Sequence, residues 1–212
     1  QRVGRNTSRF EYAAVSTCTA PGAHSFYPRI IVESHREDHE IPLMYRVIEA
    51  KAFDPAGSQI AECSFYTCRR LRTKPEMDAD WIADELDNVS SSVSRMAYTL
   101  LEVDQFNLED FVNQSSLVVA ERIEVQPDFR GTSFWKELFA LCLRHSLEPR
   151  IQAPEIGYLN AFPLEFEGKL QGNEAAFARG KRRLQLLYAM NLGARVLTDE
   201  VAHGCLMEFP IR

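Results

Sequence analysis

Residues 117–145, LVVAERIEVQPDFRGTSFWKELFALCLRH, constrain this chain more than any other segment, because they read as a buried strand, a short turn and an apolar helix in immediate succession. The strand is expected over 117–125 and the helix over about 132–145. The turn delivers Arg130 and Gly131 to the start of the helix, where unpaired backbone N–H groups and the positive end of the helix dipole favour a bound phosphate. Gly131 has no side chain to block close approach.

The chain has 212 residues, enough for one sizeable core or two small ones. Its 24 basic and 30 acidic residues give a net charge of -6, which argues against nonspecific binding to nucleic acid or to an anionic membrane. No apolar run approaches the roughly 20 residues that span a bilayer, and the first residues lack an apolar signal core, so the expected location is cytoplasmic. Cys18, Cys63, Cys68, Cys142 and Cys205 contain no C-x-x-C pair. Reduced thiols are expected, rather than a disulfide framework or a zinc knuckle, with Cys63 and Cys68 on opposite faces of a strand.

Residues 1–28 are polar, with a turn at Pro21 and Gly22 and a strand-like piece near Tyr12. Residues 41–53 and 59–68 are rich in aromatic and branched side chains, and DPAGS between them is a turn signal, so a long antiparallel hairpin is expected. Ile82, Leu86, Val89, Val93, Met96 and Leu100 then recur at helical spacing behind the candidate caps Asp78 and Asp80, and the serines at 90–92 can split that helix in two. After the strand–turn–helix segment, 156–164 reads as a strand in which Pro163 marks an edge or a splay. Asn173 can cap a last helix that carries Phe177, Leu184 and Tyr188 on one side and stops at Gly193. Residues 195–197 and 205–211 read as two closing strands. The helix at 132–145 is expected to be buried almost all round, with Trp135, Leu138, Leu141 and Cys142 as its main stripe and Phe134, Phe139 and Leu143 widening it.

The wording V-x-P-x-F-R-G followed by a helix resembles the acyl-coenzyme A binding motif of the GCN5-related N-acetyltransferases. That resemblance covers roughly residues 41–211. It implies one α+β (mixed α/β) domain over 1–212: a central mixed, mostly antiparallel twisted sheet flanked by helices, with a helical insertion before the motif strand and residues 1–40 as an N-terminal elaboration. Where the family usually has two further small residues after the arginine, this chain has Ser133 and Trp135, so the loop is expected to shift or to bind its ligand differently.

The resemblance implies transfer of an acyl group from acetyl-CoA, or another acyl-CoA, to a small-molecule or peptide amine, with no metal. The pyrophosphate would rest on Val125, Arg130, Gly131, Thr132, Ser133 and Phe134. Strand alternation puts Glu121 on one face with Leu117, Val119, Ile123 and Val125. A carboxylate on an apolar face suits general-base work, or it is simply paired with an arginine. Glu124 is expected on the opposite face, beside Arg122. Tyr188 in LLYAMNLGA matches the family tyrosine that protonates the leaving thiolate, although it precedes Gly193 by one residue more than usual, a rotation of about 100° on a helix. Glu165 and Glu167, just past a strand, could bind a cationic acceptor, or they are exposed acids at a strand end.

Two charge clusters have a bland reading beside a functional one. Arg179, Lys181, Arg182 and Arg183 suit a ribose phosphate of coenzyme A or a solvated helix face. SHREDHE places His35 and His39 four apart, which suits a metal on a helix, but reads better as a solvated loop. The alternatives to an acetyltransferase are a longer-chain acyltransferase of the same fold, a non-catalytic ligand- or protein-binding module, and an unrelated α+β protein that shares the strand-to-helix turn. A homodimer is left open.

Overall fold

The computed structural model of the chain describes residues 6–19, 25–38, 43–71, 74–89, 91–103, 105–148, 153–166, 169–200 and 204–211. They form a mixed α/β protein in which every pairing within each unit is antiparallel and helices flank the strands, as the sequence implies. Two compact units are present, Gln1–Glu76 with Val112–Ala153, and Met77–Phe111 with Pro154–Arg212.

The first unit is a five-stranded sheet, in the order β1 (Asn6–Ala13), β2 (Arg29–Asp38), β3 (Leu43–Phe53), β4 (Gln59–Arg70) and β5 (Leu117–Val125). β3 and β4 are the expected hairpin. Their turn is closed by Asp54, whose carboxylate accepts the Ser58 N–H at 2.8 Å. The helix α4 (Trp135–Ser146) packs on β2 to β5. It buries Trp135, Leu138, Phe139, Cys142 and Ser146, while Leu141 and Leu143 are half-buried and Lys136, Ala140 and Arg144 are exposed. The helix is therefore one-sided rather than buried all round. Phe65 of β4 meets Phe139 edge-on at 4.9 Å between centroids, and the Cys142 thiol donates to the Cys63 carbonyl at 3.3 Å.

The N-terminal third is more regular than its polar sequence suggests. β1 and β2 extend the sheet, and β1 is tied to α4 by Tyr12, whose hydroxyl lies 2.7 Å from His145 Nε2. The first five residues of SHREDHE lie in β2, paired with β3, and are extended rather than looped. That cross-strand pairing overrides local polarity. His39, Pro21 and Gly22 lie outside the described residues. At the C-terminal end of α4, Arg46 donates to the His145 carbonyl at 2.8 Å and, with Arg69, holds Glu148. Cations there complement the negative end of the helix.

Between β4 and β5 come α1 (Ala79–Leu86), α2 (Ser91–Val103) and α3 (Gln105–Gln114), the expected helical insertion. Asp78 is the cap of α1, accepting the Trp81 N–H at 2.9 Å, and the break falls just before Ser91, which opens α2. The third helix has no counterpart in the sequence reading.

In the second unit β6 (Ile156–Asn160), β8 (Gly204–Pro210) and β7 (Arg195–Glu200) form a sheet in that order. β6 stops at Asn160, short of the expected 164, because the Phe162 N–H turns back to the Asn160 carbonyl and Pro163 has no N–H to donate. A single 3-10 turn, Leu164–Phe166, follows. The helix α5 (Glu174–Leu192) ends at Gly193, which adopts φ 68° and donates to the Ala189 carbonyl. Asn173 occupies the capping position of α5, but its side chain donates instead to the Lys169 carbonyl. α5 buries Phe177, Lys181 and Tyr188, and leaves Leu184 half-buried. No described helix is long and apolar enough to cross a membrane.

Candidate functional site

After β5 the chain makes a 3-10 turn, Pro127–Phe129, and reaches α4 three residues later than periodicity suggests. Gly131 sets that delay. It adopts φ 90°, a conformation disfavoured for side chains with a Cβ, and open space lies where a Cβ would stand. The glycine is thus required by backbone geometry rather than by a crowding neighbour. Thr132 braces the turn by donating to the Phe129 carbonyl at 2.8 Å. Phe134 is fully buried, and Trp135 turns into the sheet-facing stripe of α4.

This turn carries unpaired donors. Among the described residues, no protein group accepts from the backbone N–H of Gly131, Thr132, Ser133 or Phe134. Arg130 is exposed, and its Nε donates to the Val125 carbonyl at 3.1 Å, which ties the guanidinium to the end of β5. Its two terminal nitrogens have no acceptor among the described residues. Val125, Arg130, Gly131, Thr132, Ser133 and Phe134 are therefore contiguous on one strand end and helix start, with surplus donors and a cation. Such an arrangement suits a multiply charged anion.

Glu121 stands a few residues earlier, and its setting differs from the alternation read from sequence. The β4–β5 register runs Phe65 opposite Ala120 and then Ser64 opposite Arg122, leaving Glu121 as the extra residue of a β-bulge. A bulge reverses the facing of everything beyond it. Ile123 and Val125, opposite Cys63 and Ala61, share the side of Phe65 that α4 covers. Leu117 and Val119, opposite Cys68 and Tyr66, lie on the other side. Glu121 keeps the side of Leu117 and Val119 but is not on one face with Ile123 and Val125. Glu124 also lies on the Glu121 side, opposite Glu62, rather than across the sheet from it.

On that side the Ser64 hydroxyl donates to Glu121 Oε2 at 3.4 Å. Arg122 reaches Glu124 at 3.2 Å and Glu62 at 3.9 Å, so Glu124 is the half ion pair that its spacing suggests. The sequence hides both Ser64 and the bulge, because no glycine or proline marks the spot. Glu137 escapes notice as well. From the first turn of α4 its carboxylate accepts the Val15 and Ser16 N–H groups at 2.7 and 2.6 Å, strapping the N-terminal segment to the turn.

The other candidates lie apart from this cluster in sequence and character. Tyr188 is buried on α5, along the same stripe as Phe177 and Lys181. Glu165 is exposed in the 3-10 turn after β6, and Glu167 lies outside the described residues. Of the basic cluster, Lys181 is buried against Asp199 at 2.5 Å and holds that carboxyl below its ordinary value, while Arg179, Arg182 and Arg183 are exposed.

The ligand atoms of Glu33, His35 and Glu49 lie within 4.8 Å of one another. Each already has a partner, in Arg9 at 3.5 Å, Thr7 at 3.1 Å and Lys51 at 3.1 Å respectively. All five cysteines are buried and free, and burial pushes the Cys63 and Cys68 thiols up, away from nucleophilic use at neutral pH.

No protein-family model matches the sequence, and no curated protein matches it. Among solved structures, the chain is similar to a mosquito arylalkylamine N-acetyltransferase like 5b, at 12% identity over 77% of this chain and 74% of that one, with a TM-score of 0.42.

Proposed function

We propose that the chain is an acyl-CoA-dependent N-acyltransferase that moves an acetyl group from acetyl-CoA to a primary amine. The observation that carries this reading is the turn at residues 130–134, where four backbone N–H groups and the two terminal nitrogens of Arg130 have no acceptor among the described residues. A pyrophosphate offers the charge and the several acceptor oxygens that such a cradle requires. The motif wording and the order of hairpin, helices, strand, turn, helix, strand, helix, strand and strand support the same family.

In the proposed reaction Glu121 takes a proton from the incoming ammonium, and the freed amine nitrogen attacks the thioester carbonyl. A C–N bond forms and the C–S bond breaks. The proposed donor of a proton to the departing thiolate is Tyr188, whose phenol is restored, directly or through solvent, by the second proton that the nitrogen sheds as the amide forms. Glu165 and Glu167 are the proposed contacts for a cationic acceptor, which would be a small molecule or the amine of a peptide. A cytoplasmic setting, with no nucleic acid, membrane or metal involved, completes the proposal.

The test is thiol release from acetyl-CoA in the presence of a panel of alkyl-, arylalkyl- and peptide amines. Release that depends on an added amine, with the acetylated amine found by mass spectrometry, is the expected result. No release with any amine in the panel, from either the acetyl or a longer acyl ester, would shift the reading to a non-catalytic module.

A further inference from the structure

Resting on the reading of Glu121 as the base, we infer that Ser64 is its positioning residue, and that the β5 bulge exists at this point to bring the two together. The first observation is the register. The register shifts between Ser64, opposite Arg122, and Phe65, opposite Ala120, so Glu121 is the extra residue of β5 at this point. In such a bulge the two facing side chains are driven to the same side of the sheet, which re-aims a carboxylate that alternation alone would place otherwise.

The second observation is the hydrogen bond. The Ser64 hydroxyl donates to Glu121 Oε2. At 3.4 Å the bond is long, as is common for such contacts before substrate is bound. The hydroxyl also favours the charged carboxylate, because it donates to the form that can take a proton.

The charged and titratable groups around Glu121 in the same unit are organised so that Ser64 occupies a distinct place among them. From β5 come Arg122 and Glu124, and from β4 come Glu62 and Tyr66. Arg122 bridges Glu62 and Glu124. From β3, Glu49 stands opposite Ser64 and Lys51 opposite Glu62, and these two pair with each other at 3.1 Å. Ser64 is thus a neutral donor to Glu121 on strands that also carry these ion pairs. An alanine there would keep the strand and lose the aim of the base. A threonine would restore the hydroxyl, and its branched side chain suits a strand.

The experiment is a pH titration of the Glu121 carboxyl by carbon-13 NMR in the intact chain, assigned with Glu121→Gln and repeated in Ser64→Ala and Ser64→Thr. Ser64→Ala is expected to raise the Glu121 pKa by about half to one unit, the scale of one hydrogen bond to the charged form. Ser64→Thr is expected to return it to the wild-type value. Melting temperatures of the variants separate this from a general loosening of the sheet, which would lower stability without a selective shift at Glu121. An unchanged Glu121 titration in Ser64→Ala overturns the inference even if Glu121 is the base. Unchanged turnover in Glu121→Gln overturns the base reading instead, so the two failures are distinguishable.

Discussion

Glu121→Gln is expected to lower the rate of amine acetylation by about 10²–10⁴-fold, the range for loss of a general base, while leaving the affinity for acetyl-CoA near that of the wild type. Glutamine keeps the size of the side chain and can still accept from the Ser64 hydroxyl, so the bulge and the strand pairing should persist. It cannot take a proton from an ammonium ion. Rates come from the thiol-release assay with whichever amine supports turnover, and affinity comes from calorimetry on the same preparations. A variant that turns over at the wild-type rate would remove Glu121 from the mechanism. A variant that loses acetyl-CoA binding as well would mean that the substitution disturbs the strand rather than the chemistry.

Phe65→Ala is expected to destabilise the first unit by about 3–5 kcal/mol, the usual cost of removing a large aromatic side chain from a core. Phe65 is fully buried on β4 and meets Phe139 of α4 edge-on, so its loss opens a cavity at the contact that seats the helix on the sheet. Aromatic pairs of this geometry contribute beyond the area they bury. The same helix begins at the Arg130–Phe134 turn, so under the proposed function the variant should also weaken binding of acetyl-CoA. Urea unfolding followed by circular dichroism measures the first effect. A loss below about 1 kcal/mol would show that the helix is held mainly by other contacts.

How far the sequence reaches depends on whether a feature is local. The β3–β4 hairpin, the β5 strand, the split between α1 and α2 and the stop at Gly193 are all written in short-range signals: alternation, a DPAGS turn, a capping aspartate and a glycine that tolerates positive φ. Each appears close to where those signals place it. β1 and β2 are not legible in this way, since Arg9, Glu11, Glu33 and His35 are polar and these strands exist because their neighbours pair with them. The bulge at Glu121 is a property of register between two strands, and register is invisible in one strand alone. For that reason alternation misassigns which of Glu121, Ile123, Glu124 and Val125 share a face. The turn at Arg130 and Gly131 was legible as a turn that leads into a helix, because its proline, glycine and the apolar run after it are short-range signals. Trp135, which stands where a smaller residue is usual, is accommodated by turning into the core stripe of α4.

The measurement that tests the central claim most directly is a calorimetric titration of the intact chain with acetyl-CoA, set beside the same titration of Arg130→Ala. The account predicts saturable one-site binding to the wild type that weakens by about 10-fold or more in the variant, the scale of a charged hydrogen bond to phosphate. Absence of binding by the wild type, or binding that Arg130→Ala leaves unchanged, would contradict it.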